Sequence, residues 1–349
     1  MVNLNKINET NHVLVTGGAG YVGSGLLREL LSEGFQVTCV DKLMFGGESL
    51  LDIWHKKNFT FIKCDLNDHK IFDSVLINNN FDAVIHLASI VGDPACGLQK
   101  ELALQTNWLT TKWLLDRCME IGISKFIFAS TCSNYGRMSD PLSYVTEESD
   151  LAPVSLYAEL KVKFENYMLN EVKKNDNFCP TALRFSTVYG LSPRMRFDLT
   201  VNEFTKDIAM DRELVVFGEQ FWRPYCHVKD FSNAFITVLR AATNKVAYNV
   251  FNVGDTSENY TKKMLIEEIL KQMPNAKIKY IDKKEDPRDY RVNSDKIKND
   301  LDFKITMRVP DGIKEIMRVV QEKVINDPED QRYYNIPHER HIDSKVEKT

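Results

Sequence analysis

The sequence has few features that would mark an unusual class of protein. No apolar run approaches the roughly 18 residues of a membrane span, and internal repeats and low-complexity tracts are absent from its 349 residues. The formal net charge of −4 is spread along the chain, so the concentrated positive surface that binds nucleic-acid phosphates is missing. We therefore expect neither a membrane nor a nucleic acid as a partner.

Paired cysteine motifs are missing too. The seven cysteines are odd in number and include no C-x-x-C spacing, which argues against a metal site or a redox pair. Residues 1–11 are polar and lead into the first apolar segment without the regions of a secretory signal. Reduced thiols and the missing signal predict a cytoplasmic protein. The cysteines are Cys39, Cys64, Cys96, Cys118, Cys132, Cys179 and Cys226.

The chain does contain a regular alternation of short β-branched apolar runs and longer segments of helical period. Strands are predicted at His12–Thr16, Gln36–Val40, Phe59–Lys63, Ala83–His86, Lys125–Ala129 and Thr181–Phe185. Helices are predicted at Tyr21–Ser32, Asp68–Ile77, Glu101–Ile121 and Val154–Lys173. This alternation predicts an α/β fold with a doubly wound parallel sheet, whose ligands lie at the carboxyl ends of the strands.

The alternation loosens after Gly190, and chains longer than about 250 to 300 residues tend to divide. We predict a sheet domain over residues 1–189 and a smaller α/β ligand-binding domain over 190–325, with some elements interleaved. Residues 326–349 are crowded with charge and predict a flexible tail or an arm on a neighbouring subunit. Helices of the second domain are predicted at Leu199–Met210, Val228–Ala242, Thr261–Gln272 and Pro310–Val324.

A glycine-rich motif follows the first predicted strand. The segment Thr16 to Gly23, TGGAGYVG, satisfies G-x-G-x-x-G, in which glycine permits a tight turn and close approach to a pyrophosphate. Asp41 ends the second strand, where a carboxylate accepts hydrogen bonds from both ribose hydroxyls and repels a 2′-phosphate. Either feature alone could belong to an ordinary turn, and Lys42 leaves an opening for NADP. Their combination predicts a Rossmann NAD site with contacts at Gly17, Gly20, Tyr21, Val22 and Asp41.

A second motif has chemical potential. Tyr157 and Lys161 are four residues apart on a predicted helix and share one face. An ammonium near a phenol lowers the phenol pKa from about 10, which makes Tyr157 a candidate general base. A Tyr–Lys pair often only borders a core. The position of the helix after the strand that leads to Ser130-Thr131 favours the catalytic interpretation.

Together these motifs resemble the extended short-chain dehydrogenase/reductases, and among them the NAD-dependent epimerase/dehydratase family that acts on nucleotide sugars. The resemblance covers about residues 12 to 325. It implies that the first domain binds NAD and the second binds a nucleotide-diphosphate sugar. It also implies cofactor contacts at Asp65, Leu66, Leu87, Ala88, Ser89, Asn107, Tyr157 and Lys161.

The same resemblance implies the substrate contacts. Thr131, four residues before Tyr135-Gly136, matches the catalytic Ser/Thr of the family. Arg223 and Arg288 match two arginines that hold the sugar-nucleotide diphosphate, although each alone reads as a solvated charge. The full set of implied substrate-binding residues is Thr131, Cys132, Ser133, Thr187, Arg194, Arg196, Arg223 and Arg288.

Departures from the family pattern narrow the chemistry. Members that remove water need a carboxylic acid just after the catalytic Ser/Thr, and Cys132 and Ser133 stand there, which disfavours a dehydratase. Cys132 is either a weak acid or, as we favour, a small apolar filler. Thr187 replaces the usual Asn before Val-Tyr-Gly, which puts the binding of the diphosphate there in doubt.

The resemblance implies that NAD oxidises the sugar 4-hydroxyl to a 4-keto intermediate. We expect a 4-epimerase of surface-polysaccharide biosynthesis. A 4-dehydrogenase or 4-keto reductase is the alternative, and a non-catalytic NAD-sensing regulator is a remote one. Segments that resemble bacterial surface-polysaccharide enzymes, including GDP-heptose 4-dehydrogenases, are Asp41–Leu51, Ile90–Pro94 and Leu191–Leu199, and the last places Arg194 and Arg196 at the substrate mouth.

Relatives form dimers through the helices that correspond to Glu101–Ile121 and Val154–Lys173. In these dimers the two helices of each subunit form a four-helix bundle. The apolar surface for such a bundle would come from Trp108, Trp113, Leu114 and Leu115. The same residues could instead cover the sheet. We expect a homodimer.

Overall fold

The computed structural model describes residues 11–138, 140, 143–283 and 288–338. The strands in these ranges are β1 His12–Thr16, β2 Gln36–Asp41, β3 Phe59–Lys63, β4 Ala83–His86, β5 Lys125–Thr131, β6 Cys179–Phe185, β7 Thr187–Tyr189, β8 Leu214–Phe217, β9 Trp222–His227, β10 Asn249–Val253, β11 Asn259–Thr261 and β12 Ile278–Ile281.

The helices pack around these strands. They are α1 Tyr21–Ser32, α2 His69–Ile77, α3 Asp93–Leu98, α4 Lys100–Leu104, α5 Thr111–Glu120, α6 Leu156–Asn166, α7 Thr200–Ala209, α8 Val228–Arg240, α9 Thr243–Val246, α10 Lys262–Gln272, α11 Asp295–Leu301 and α12 Val309–Gln321. A π-helical turn, Gln105–Thr110, joins α4 to α5, so the single helix predicted there is interrupted. None of the described helices is long and apolar enough to cross a bilayer.

A parallel sheet of seven strands organises the molecule, in the order β10-β6-β5-β4-β1-β2-β3. Residues alternate between its faces: Val13 and Val15 of β1 join one apolar cluster and Leu14 joins the other. Helices α1 and α8 cover the first face, and α2, α5 and α6 cover the second. This sheet confirms the predicted Rossmann fold.

Strand β10 supplies an edge of this sheet by pairing with β6 from Asn249↔Thr181 to Val253↔Phe185. The sequence pattern does not predict this strand. Because β10 and α8 come from beyond residue 189, the chain returns to the sheet after the predicted domain boundary. The division at that boundary stays a prediction.

The second part of the chain builds two small sheets, β11-β9-β7 and β12-β8. Their core includes Tyr189, Phe204, Tyr225, Ile266 and Ile313, from β7, α7, β9, α10 and α12. This part of the chain begins directly after β6, at the carboxyl end of that strand. It therefore starts at the carboxyl edge of the main sheet.

The segment after α12 packs against the same chain. Glu329 is 5% exposed and accepts hydrogen bonds from Lys206 at 2.7 Å and Arg212 at 2.9 Å. Tyr334 is equally buried, and Ile336 packs against the apolar cluster that Tyr157 also contacts. The expected flexible tail or arm therefore does not describe residues 326–338, because their charges are paired internally. Residues 339–349 lie outside the described residues.

Candidate active site

The turn between β1 and α1 requires glycine at particular points. Gly17 has a φ of +75°, and a Cβ there would lie 2.7 Å from the backbone nitrogen of Ala88. A Cβ on Gly23 would lie 2.5 Å from the Gly17 carbonyl oxygen. Helix α1 has no acidic residue in its first turn, and Gly20 at its N-cap makes no side-chain cap. Its first N–H groups can therefore hold an anion, and the turn fits the diphosphate of a dinucleotide.

Asp41 lies beside this turn. Its Oδ2 accepts a hydrogen bond from the Ala19 backbone at 3.0 Å, and its Oδ1 accepts one from the Leu43 backbone at 2.7 Å. Burial raises the pKa of the Asp41 carboxyl, and these hydrogen bonds partly offset the rise. Each oxygen keeps a lone pair that a ribose hydroxyl can use.

The side chains of Tyr21 and Val22 belong to the interior. The Tyr21 hydroxyl donates to the Gly190 carbonyl at 2.6 Å and accepts from Asn202 at 3.2 Å. Val22 packs against the apolar cluster beneath α1. At these two positions only the backbone N–H groups at the start of α1 can therefore contact a cofactor.

The ends of β3 and β4 carry the next predicted cofactor residues. Asp65 lies 3.4 Å from the ammonium of Lys42, and Leu66 is buried. The Leu87 backbone nitrogen donates to the Thr16 carbonyl at 3.1 Å, which holds the loop after β4 against the glycine turn. These residues thus border the carboxyl edge at which the sequence predicts the nucleotide.

Asn107 supports that loop from the π-helical turn. Its Oδ1 accepts from the Ile90 backbone nitrogen at 2.8 Å, and its Nδ2 donates to the Ile90 carbonyl at 2.9 Å. The Ser89 hydroxyl also donates to this carbonyl, at 3.3 Å. The Asn107 amide therefore fixes the backbone next to Ala88 and Ser89, two of the predicted cofactor residues.

The predicted catalytic helix packs on β5. The Lys161 ammonium donates to the Ala129 carbonyl at 2.7 Å and lies 4.5 Å from the Phe128 ring centroid and 5.7 Å from that of Tyr157. Thr131 is the last residue of the same strand. The fold thus brings the Tyr157–Lys161 face to the strand that ends in Thr131.

The pKa values at this site depend on burial. Burial raises the pKa of the half-buried Tyr157 phenol, with Cys96 and Asp93 acting in the same direction and Arg196 against it. Burial also lowers the pKa of Lys161 to about 8. The raised phenol pKa differs from the lowering that the sequence predicts, because desolvation dominates and the ammonium is held at the strand backbone.

Hydrogen bonds of Thr131 and Cys132 hold the turn after β5 in place. Thr131 Oγ1 accepts from the Ser133 backbone nitrogen at 3.1 Å, and the Cys132 thiol donates to the Arg184 carbonyl at 3.2 Å. Cys132 is 1% exposed, and burial raises the pKa of its thiol. Such a thiol is a poor proton donor to a substrate, so the structure supports the filler interpretation.

The two arginines predicted to hold the substrate diphosphate lie around one buried tyrosine. The Arg223 guanidinium lies 5.5 Å from the Tyr290 ring centroid and donates to the Trp222 carbonyl at 2.7 Å. Arg288 also acts on the pKa of Tyr290, and its Nη1 lies 2.9 Å from Asp93 Oδ2. Arg223 and Arg288 therefore share one region, as a joint diphosphate site requires.

The other two predicted arginines lie elsewhere. Arg196 forms a bidentate ion pair with Asp198 at 2.8 and 3.0 Å. The Arg194 guanidinium lies 4.2 Å above the Phe45 ring, and its backbone nitrogen donates to Ser24 of α1 at 3.2 Å. Arg194 is thus on the side of the glycine turn. Thr187, at the Asn position of the family, begins β7 and pairs with Tyr225 in β9.

The sequence prediction did not include Asp93, Glu165 or Tyr290. Asp93 opens α3, and its Oδ1 accepts from Ser155, the N-cap residue of α6, at 2.6 Å. Asp93 lies within the Ile90–Pro94 segment that the sequence analysis notes for its resemblance, but it was not predicted as a site residue. Tyr290 has no local sequence signal, because its contacts with Cys132 and Tyr135 in the turn after β5 are long-range.

A model of the NAD dependent epimerase/dehydratase family matches residues 13–254 of this chain. UDP-glucose 4-epimerase of Bacillus subtilis (strain 168) is 28% identical in an alignment of 264 positions that covers 69% of this chain and 76% of that protein. Protein CapI of Staphylococcus aureus is 28% identical over 329 residues, covering 87% of this chain and 97% of its own.

A solved structure gives the same correspondence in three dimensions. The structure of UDP-glucuronic acid 4-epimerase from Bacillus cereus, in complex with UDP-glucuronic acid and NAD, superposes with a TM-score of 0.78. The two are 25% identical, and the match covers 89% of this chain and 99% of that chain.

Proposed function

This chain belongs to the NAD-dependent epimerase/dehydratase family, and on that premise we propose that it is a 4-epimerase of nucleotide sugars, with UDP-sugars as the first candidates. The observation that carries the proposal is the position of Tyr157 and Lys161 on α6, against the strand that ends in Thr131. The sequence relatives and the solved structure described above include 4-epimerases that act on UDP-sugars.

The proposed mechanism assigns a role to each of these residues. Tyr157 removes the proton of the sugar 4-hydroxyl, and Thr131 hydrogen-bonds the reacting oxygen. Lys161 holds the cofactor ribose and adds positive charge near the phenol. Bound NAD⁺ supplies the hydride acceptor, together with a positive charge that favours the phenolate. The glycine turn, Asp41 and the ends of β3 and β4 position the cofactor.

The residues that follow Thr131 argue against dehydration. Removal of water needs an acid at this place, and the Cys132 thiol is buried and bonded to the Arg184 carbonyl. Release of the keto sugar before hydride return would instead give a 4-dehydrogenase, and the reverse reaction a 4-keto reductase. A non-catalytic NAD sensor is less well supported, because Tyr157 and Lys161 are both present.

Product analysis tests the proposal. The purified protein would be incubated with UDP-glucose, UDP-glucuronic acid and UDP-arabinose, and with GDP- and dTDP-sugars, and the products analysed by mass spectrometry and NMR. A product of unchanged mass and inverted C4 configuration supports an epimerase. A product lighter by two hydrogen atoms would identify a dehydrogenase, and one lighter by a water molecule would overturn the argument against dehydration.

We also propose that the protein is a cytoplasmic homodimer that serves surface-polysaccharide biosynthesis. All seven cysteines are buried free thiols, as expected in a reducing compartment. Leu104 and Leu109, near the start of the first helix predicted to pair, are 44% and 45% exposed. Leu114 and Leu115, which were expected on the same surface, are instead buried in the cluster that covers the sheet. Light scattering that gives a monomer mass would overturn the assembly.

A further inference from the structure

A short segment of the second part of the chain lies directly against the start of α1. This segment connects β7 to α7. The Ser192 hydroxyl donates to the Tyr21 carbonyl at 2.5 Å, and the Arg194 backbone nitrogen donates to Ser24 at 3.2 Å. The segment thereby brings the Arg194 side chain next to the helix that the glycine turn opens.

The Arg194 guanidinium is buried without a matching acid among the residues that the structure describes. Arg194 is 6% exposed, and its buried Nε and Nη2 atoms donate to no acceptor in the part of the chain that the structure describes. The nearby Asp198 carboxylate is held by Arg196. Burial and the charge of Arg196 lower the pKa of Arg194 to about 10, which leaves it positive at neutral pH. A buried cation without a partner lowers the stability of the folded state, so we expect an anion to bind here.

Two further features show where that anion belongs. The first turn of α1 carries no acid and no side-chain cap, so its positive end is also open to an anion. The Arg194 guanidinium lies 4.2 Å above the ring of Phe45, four residues after Asp41. Arg194 therefore lies against α1 and against the segment that follows Asp41.

We propose that Arg194 binds the diphosphate of NAD together with the amino terminus of α1, and not the nucleotide sugar as the sequence predicts. This inference rests on the proposed NAD-dependent function. Arg223 and Arg288, by contrast, lie around Tyr290 and Asp93. The two diphosphates are thus served by different arginines, and a residue of the second part of the chain completes the cofactor site of the first.

Binding measurements on Arg194→Met test the assignment. Calorimetric titration of nucleotide-free protein with NAD, ADP and UDP separates the cofactor diphosphate from the substrate diphosphate. Because hydrogen bonds to charged groups are strong, we expect the dissociation constants for NAD and ADP to rise roughly 10- to 100-fold, with UDP unchanged. Arg318→Met, which removes an exposed arginine of α12, is the control for charge and should leave all three unchanged.

Thermal unfolding without nucleotide distinguishes binding from a structural role. Loss of an unpaired cation should leave the melting temperature of Arg194→Met equal to or above that of the wild type, and NAD should raise it less. If Arg194→Met does not fold, Arg194→Gln replaces it. Three results would each overturn the inference. The first is equal NAD affinity in wild type and variant, and the second is a loss of UDP affinity alone. The third is a lower melting temperature together with equal losses of NAD and UDP affinity. A wild-type protein that binds no NAD would instead overturn the proposed function.

Discussion

Arg184 of β6 and Glu165 of α6 form an ion pair beneath the candidate active site, with 2.7 Å between Nη2 and Oε2 and both side chains almost fully buried. The Ser130 hydroxyl and the Asn134 amide both donate to Glu165. The pair therefore supports the turn that carries Thr131 from the same helix that carries Tyr157. Its position links the geometry of the two predicted catalytic elements.

Glu165→Gln should destabilise the protein strongly. The change leaves the Arg184 guanidinium buried without a counter-charge, and breaking such a pair typically costs about 3–5 kcal/mol. Glu159→Gln, at an exposed position of the same helix, is the matched control and should have little effect. Urea unfolding at neutral pH measures both. Equal stabilities of the two variants would contradict a supporting role for the pair.

Cys132→Ala should leave turnover nearly unchanged. The thiol donates to the Arg184 carbonyl and is 1% exposed, so its loss removes packing and a weak hydrogen bond, at a cost of about 1–2 kcal/mol in stability. Cys118→Ala, at another buried thiol, controls for packing. Steady-state turnover is the measurement, and a hundredfold fall in Cys132→Ala alone would show that the thiol acts as an acid.

Arg288→Met should weaken substrate binding with little effect on stability. Arg288 and Asp93 have side chains 40% and 25% exposed, and ion pairs at such sites contribute about 0–1 kcal/mol. Loss of a charged contact to the diphosphate should raise the dissociation constant for UDP roughly 10-fold or more, while that for NAD stays unchanged. Lys271→Met, which removes a 67% exposed lysine side chain of α10, is the control. Titration of the variant with UDP and with NAD is the measurement. A fall in NAD affinity alone would contradict the assignment of Arg288 to the substrate diphosphate.

His86 should make stability depend on pH. Burial lowers its pKa from 6.5 to about 3, between Thr16 at 2.7 Å and Thr111 at 3.0 Å. The folded state therefore keeps a neutral imidazole that the unfolded chain protonates, so this contribution is complete above pH 6.5 and is lost as the pH falls. From about pH 7.5 to about pH 5 the loss is roughly 2 kcal/mol. Urea unfolding of wild type and His86→Asn measures it, and identical pH slopes would contradict it.

Much of the fold follows from local sequence patterns. Strands β1, β3 and β4 and helix α1 begin and end where their periodicity predicts. The glycine turn is also recognisable from its spacing, although one reason for glycine is long-range, because a Cβ on Gly17 would meet the backbone of Ala88. Strand β10 was not predicted, since its place at the sheet edge depends on pairing with β6 far back in the chain.

The candidate site depends more on contacts that sequence spacing does not encode. Helical spacing predicts that Tyr157 and Lys161 share a face, but the direction of the Tyr157 pKa shift depends on burial and on Cys96 and Asp93. The packing of residues 326–338 depends on charges that find partners in α7 and the loop after it. The position of Arg194 beside the glycine turn depends on the packing of its segment against α1.

The most direct test of the account uses the UDP-sugar that turns over, labelled with deuterium at C4. In the proposed mechanism the same hydride moves to NAD and back, and Tyr157 takes and returns the hydroxyl proton. The inverted product should therefore keep the deuterium at C4. Tyr157→Phe should form no product but should bind NAD as the wild type does. NMR of the product and calorimetric titration with NAD measure these outcomes. An inverted product with solvent hydrogen at C4, or turnover by Tyr157→Phe, would contradict the account.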